Sequence, residues 1–211
     1  MVKLIEMVCS GNSGRSPVAE LLAKKRVKEQ RADEEYDSIS SGVYVDLIRQ
    51  GDYTIPLMVP FIELAKQRED VFTPEEISQV DKAIRNGDTE TVKRYFVSVI
   101  KRFFIEEYTN RTRALEELGI QGDIKTGKDQ TIVRPDTLAV LSMGDRENGR
   151  VRQIYDGSAY NPKIEILSVF ATGNPKARLD NSFGRGYVVY KEMIEQMIKQ
   201  VPVAVDKLIR A

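Results

Sequence analysis

Cys9-Ser10-Gly11-Asn12-Ser13-Gly14-Arg15-Ser16 places the chain's single cysteine and an arginine at opposite ends of a run of small residues. Gly11, Asn12 and Gly14 tolerate positive φ, so successive backbone N–H groups can turn inward as an anion nest, and a helix starting just beyond adds its positive end. A tetrahedral oxyanion fits such a nest. The same field favours a cysteine thiolate, so Cys9 is expected to be ionised at neutral pH and to act as a nucleophile. Five residues separate Cys9 from Arg15. That spacing lets the loop curl round one phosphate while the guanidinium fork holds two of its oxygens, a geometry that lysine reproduces poorly. A free cysteine in a glycine-rich turn is, taken alone, more often a small buried hydrophobe. The joint pattern of strand, Cys, glycines, Asn, Arg, Ser-Pro and helix favours function, because open α/β sheets place ligands at the carboxyl ends of their strands.

The elements that must position this loop follow from periodicity. Residues 2–8 (VKLIEMV) are a short apolar run that reads as a strand, and Pro17 opens an amphipathic helix to about Gln30, with Val18, Leu21 and Leu22 on one face. Further strand-like runs lie at 36–45, 136–143 and 163–170, separated by helical patterns. Strand and helix in alternation predict a parallel sheet covered by helices. Residues 47–118 depart from that plan, with at least three helical segments and no strand. Thr73, Pro74 and Glu76 form a capping-box start and Gly87 supplies a stop. Beyond it, Val92, Tyr95, Phe96, Val99, Ile100, Phe103, Phe104 and Tyr108 repeat at three and four. This stripe is expected to pack as core, the alternative being a face for a protein partner. A last helix over 186–209 carries an expected kink near Pro202.

Composition limits the chemistry. Lys plus Arg (32) balance Asp plus Glu (32), so no global field argues for nucleic acid or a membrane surface, and any anion site must be local. There is no histidine, which removes the usual zinc ligand and the commonest general base. No apolar stretch approaches the roughly 18–20 residues that span a bilayer, and no signal peptide or anchor is visible. A lone cysteine cannot form an internal disulfide, which suits a cytoplasmic protein.

VCSGNSGRSPVAE is similar to the active-site signature of the low-molecular-weight protein tyrosine phosphatases. Asp180-Asn181-Ser182-Phe183-Gly184 resembles the general-acid loop of that family, Ser40-Ser41-Gly42 its second strand, and LEELGI (115–120) with LAVLSMGDREN (138–148) its next landmarks. The resemblance covers roughly residues 1–45 and 113–211. It implies a single phosphatase domain over 1–211, three-layer α/β/α with a four-stranded parallel sheet in the order 2-1-3-4, carrying a helical insertion at about 47–112. It also implies that Cys9 attacks phosphorus to give a cysteinyl-phosphate while Asp180 protonates the departing phenolate and then activates water. Arg15 with Ser10, Gly11, Asn12, Ser13, Gly14 and Ser16 would bind the phosphate. Ser16 would also donate to the Cys9 sulfur, Asn12 and Ser40 would hold the loop in shape, and Phe183 would line the substrate slot. The substrate expected is a phosphotyrosine-containing protein or a small aryl phosphate, with no metal or other cofactor.

Two departures from that pattern matter. Gly14 stands where the family commonly has a second cysteine able to trap the oxidised nucleophile, so Cys9 loses that protection. Ser182 replaces one of two slot aromatics, leaving Phe183, with Tyr44 or Tyr53 as candidate walls. The ordinary alternative for Asp180 is a residue heading the last helix, and Asp145 is the reserve acid. An arsenate reductase using an external thiol and a non-catalytic phospho-binding module are the other functional classes.

Overall fold

A computed structural model describes residues 2–51, 53–126 and 129–211. Strand β1 (Lys3–Cys9) runs between β2 (Tyr36–Gly42) and β3 (Thr137–Ser142), and β4 (Lys163–Ile166) pairs with β3. The sheet is four-stranded and wholly parallel, in the order β2-β1-β3-β4. Successive side chains on a strand face opposite sides. Ile5, Met7 and Cys9 accordingly join one buried cluster with α1 (Arg15–Glu29) and α8 (Tyr187–Ile209), whereas Val8 packs on the other face with Val140 and with Val151 and Tyr155 of α6 (Asp145–Tyr155). This is the three-layer α/β/α arrangement the sequence predicts.

Three boundaries differ from the sequence reading. α1 begins at Arg15 rather than Pro17. Pro17 then falls within the first four residues, whose N–H groups have no intrahelical acceptor, so its missing N–H costs nothing there. β2 ends at Gly42 because the chain turns into α2 (Val45–Gln50). β4 ends at Ile166 and Leu167–Thr172 form a short helix, α7, closed by Gly173 at φ 74°. The apolar run 163–170 thus divides between two elements, an ambiguity inherent in short apolar runs without alternation.

Between β2 and β3 the chain forms α2, α3 (Ile55–Lys66), α4 (Pro74–Asn86) and α5 (Thr89–Glu117). The capping box at α4 forms as its sequence predicts, with Thr73 Oγ1 accepting from the Glu76 N–H and the Glu76 carboxylate accepting from the Thr73 N–H. Gly87 closes the helix in the left-handed region, φ 69°. Val92, Tyr95, Phe96, Val99 and Phe103 of the apolar stripe bury themselves with Met58, Ile62 and Phe72 in a cluster separate from the sheet's. Tyr108 is 62% exposed, so the stripe ends as core before it ends as a pattern. At about 1.5 Å per residue the 29 residues of α5 extend roughly 44 Å. Ala114 and Leu115 near its end enter the sheet cluster, so α5 joins the two cores. α8 continues through Pro202 to Ile209. Among the described residues no helix is long and apolar enough to cross a membrane.

Candidate active site

The loop from Cys9 to Arg15 leaves the carboxyl end of the central strand and enters α1. Asn12 is buried with φ 52°, in the left-handed region that asparagine tolerates better than most residues. Its Nδ2 donates to Ser16 Oγ at 3.1 Å, and Ser16 Oγ in turn donates to Cys9 Sγ at 3.0 Å and lies 3.2 Å from the Ser41 carbonyl. The N–H groups of Val43 and Tyr44 donate to the carbonyls of Cys9 and Ser10 at 3.1 and 3.0 Å, turning those carbonyls towards the end of β2. Gly42 makes this approach feasible, since a Cβ there would lie 2.7 Å from both the Asn12 nitrogen and the Ser10 oxygen. Ser40 donates to Glu20 Oε2 on α1 at 2.6 Å.

Arg15 is held rather than free. Its Nη1 donates to the Met143 carbonyl at 3.2 Å and its Nη2 to Glu147 Oε1 at 3.3 Å. Glu147, from the first turn of α6, also accepts from the Ser10 hydroxyl. A second buried carboxyl comes from the opposite side. Glu107 of α5 accepts from Ser13 Oγ at 2.6 Å, and Arg111, one turn further on, donates to the Ser13 carbonyl. Burial pushes the Glu107 carboxyl above its ordinary 4.5, with the Ser13 hydroxyl, Arg15 and Arg111 pulling it part of the way back. A Cβ at Gly14 would collide with the Glu107 carboxyl where it now sits, so any larger residue there must displace that carboxyl from Ser13.

These residues floor a cleft of about 400 Å³. Cys9, although only 4% exposed, contributes to its lining together with Ser10, Gly11, Ser13, Gly14 and Arg15. One wall is apolar: Leu47 and Ile48 from α2, Tyr53, Leu57 and Phe61 from the α3 region, and Phe96, Ile100 and Phe104 from α5. Phe183 closes that wall, edge-on to Phe61, Phe103 and Phe104 at centroid distances of 6.0, 5.6 and 5.4 Å. Tyr53 packs edge-on to Phe96 at 4.6 Å and spends its hydroxyl on the Ile48 carbonyl. The facing wall holds Tyr44, whose hydroxyl accepts from Arg146 Nε at 3.2 Å, and an Asp145–Arg178 pair joined by two hydrogen bonds of 2.6 and 2.7 Å. That pairing pulls the Asp145 carboxyl below its ordinary range.

The candidate residues thus fall into two groups. Cys9, Ser10, Gly11, Ser13, Gly14, Arg15 and Phe183 line one cleft, with Asn12 and Ser16 directly beneath. Tyr44, Tyr53 and Asp145 line it as well. Asp180 is exposed and turned aside, accepting from Gln196 Nε2 at 2.7 Å, while its neighbours Leu179 and Asn181 face the cleft. Ser182 is buried, at 2% exposure. Glu107, Arg111 and Glu147 were not singled out from sequence. Glu147 lies within the LAVLSMGDREN landmark, and Glu107 and Arg111 fall one turn apart at the end of the apolar stripe, but no local pattern marks either as a loop contact. Among the described residues no group of His, Cys, Asp and Glu is arranged to hold a metal ion.

No protein-family model and no curated protein matches the sequence. Solved structures do match. A low-molecular-weight phosphotyrosine phosphatase from Vibrio cholerae is 14% identical, with 99% of this chain and 97% of that chain covered at a TM-score of 0.56. Wzb from Vibrio vulnificus, determined with benzylphosphonate, is 10% identical over 98% of this chain and 99% of its own, TM-score 0.56. The YwlE arginine phosphatase from Geobacillus stearothermophilus is 15% identical over 99% and 94%, TM-score 0.52. The chain therefore has the fold of the low-molecular-weight protein tyrosine phosphatases.

Proposed function

We propose that this protein is a cysteine-dependent phosphatase acting on phosphotyrosine or similar aryl phosphate monoesters, with residues 1–211 forming one phosphatase domain and the helices at about 47–112 inserted into it. One observation carries the reading: Ser16 Oγ donates to Cys9 Sγ at 3.0 Å on the floor of a cleft that Arg15 also lines. In the first step Cys9 Sγ attacks phosphorus, the P–O ester bond breaks, and the leaving oxygen takes a proton. In the second, water attacks phosphorus, the P–S bond breaks, and phosphate leaves with the thiolate restored. Arg15 and the loop N–H groups stabilise charge on the equatorial oxygens. Asp180 supplies the proton and later withdraws one from water. Its carboxylate must leave Gln196 to do so, and Leu179 and Asn181 already face the cleft on either side of it. Asp145 serves this role less well, because its pairing with Arg178 favours the form that has no proton to give. No metal takes part, and a cytoplasmic, reducing setting suits a nucleophile with no disulfide partner.

Among the structural neighbours are enzymes named as a phosphotyrosine phosphatase and as an arginine phosphatase. Walls of Leu, Ile, Tyr and Phe favour an aryl group over a guanidinium. Hydrolysis of phenyl phosphate and of phosphoarginine by wild type and Cys9→Ser tests the reading. Turnover of the aryl ester that disappears in Cys9→Ser supports it. Thiol-dependent reduction of arsenate without ester hydrolysis would make the protein a reductase instead, and phosphate binding without turnover would make it a binding module.

A further inference from the structure

The polar groups of the cleft are concentrated at its floor and along one side, and on the helical side the Glu107 carboxyl and the Tyr53 hydroxyl are already engaged by Ser13 and the Ile48 carbonyl. Ile48, Leu57, Phe61, Phe96, Ile100 and Phe104 form a continuous apolar wall rising from the phosphate loop. Ile48, Phe61 and Phe104 come from three different helices, and packed helix axes lie about 8–10 Å apart, more than the envelope of one aromatic ring at ordinary carbon contact distances. The volume, about 400 Å³, lies in the range that encloses drug-sized ligands rather than a single side chain. On the facing side the charged groups are already matched, Asp145 with Arg178 and Arg146 with the Tyr44 ring at 4.7 Å. A phosphotyrosine ring entering from a protein would cover part of this wall and bring main-chain amides against the remainder, where Leu, Ile and Phe side chains offer them no hydrogen-bond partner.

We propose that the cleft is built for phosphate monoesters of a bulky apolar alcohol of roughly ten carbons or more, whose body lies along the α2, α3 and α5 wall while the phosphate sits over Cys9. The inference rests on the phosphatase reading for the fate of the phosphate, but the wall's preference is separable from turnover. Aryl and aliphatic bodies share the chemistry that this wall recognises.

Direct binding of non-hydrolysable phosphonates, followed by titration calorimetry, therefore tests it, with phenyl, 4-biphenyl and decyl phosphonate compared with a peptide carrying a non-hydrolysable phosphotyrosine analogue. The biphenyl or decyl compound is expected to bind at least about tenfold more tightly than the phenyl compound, and the better of the two identifies the body as aryl or aliphatic. Phe104→Ala and Ile100→Ala should narrow that ratio. The wild-type series is decisive even if these variants fold poorly. Equal constants across the series, or tighter binding of the peptide than of the bulky phosphonates, overturns the proposal. Graded phosphonate binding without hydrolysis of any ester sinks the phosphatase reading and leaves the pocket's preference standing. Failure of every phosphonate to bind overturns the proposed preference, and loss of ester hydrolysis in Cys9→Ser then decides the phosphatase reading separately.

Discussion

The floor of the cleft occupies eight consecutive residues, Cys9–Ser16, whereas its apolar wall draws on three helices spread over residues 45–117. Much of the floor's shape follows from residues within it: a residue tolerant of positive φ at Asn12, the Ser16 hydroxyl bonded to the Cys9 sulfur seven residues back, and an arginine at the start of a helix. The wall follows from packing, in which a stripe buried for stability at Val92–Phe103 offers its last turns to the cleft. The two meet where Glu107 and Arg111 grip Ser13 from across the site. A loop that reads as self-sufficient in sequence is braced by a helix about ninety residues away, and Gly14 leaves room for the Glu107 carboxyl that makes the brace.

Breaking the floor should have the largest effect. Cys9→Ser is expected to reduce aryl phosphate hydrolysis to background with the fold intact, since serine keeps the hydrogen bond but supplies a far poorer nucleophile. Arg15→Lys comes next, at about 10²- to 10³-fold in kcat/KM, because a point charge cannot replace the fork. If lysine worked equally well, the floor would be an anion site of generic charge. Asp180→Ala should lower kcat about 10²-fold for esters with poor leaving groups and much less for p-nitrophenyl phosphate, whose leaving group needs no proton. A uniform loss across leaving groups would assign the acid elsewhere.

The remaining tests address the junction. Gly14→Ala drives a Cβ into the Glu107 carboxyl and should destabilise the protein by about 1–3 kcal/mol. Combining it with Glu107→Ala should recover part of that loss, and strict additivity by denaturant titration would break the proposed link between floor and wall. The smallest effect concerns pH. The Glu107 carboxyl lies above its ordinary 4.5 in the folded chain, so below that value both states hold the proton and no penalty arises. As pH rises from 4.5 through the raised folded value, the unfolded chain ionises first and stability falls. Glu107→Gln should flatten that decline in Tm against pH only in part, since the buried Glu6 is shifted in the same direction.

The parts legible in sequence are those whose causes are local. The strand, the loop, the capping box at Thr73 and the apolar repeat of α5 each follow from residues within a few positions of one another. The strand order came from resemblance, because periodicity gives a parallel sheet but not its sequence of strands. What could not be read depends on distant partners. Glu107 looks like any acid on an amphipathic helix until the loop lies against it. Ser40 stands beside a landmark yet spends its hydroxyl on Glu20, and Asp180 has a position fixed by sequence but an orientation set by Gln196 on α8. The end of β4 at Ile166 is likewise decided by where α7 can pack, not by apolarity.

The proposed chemistry turns on transfer of the phosphoryl group to Cys9. Rapid acid quench of the protein during turnover of an aryl phosphate, followed by peptide mass analysis, tests it directly. One phosphoryl group is expected on the peptide that contains Cys9, absent from Cys9→Ala and accumulating in Asp180→Ala, where the water step is slowed. Steady turnover with no adduct on that peptide, or an adduct on any other residue, would contradict it.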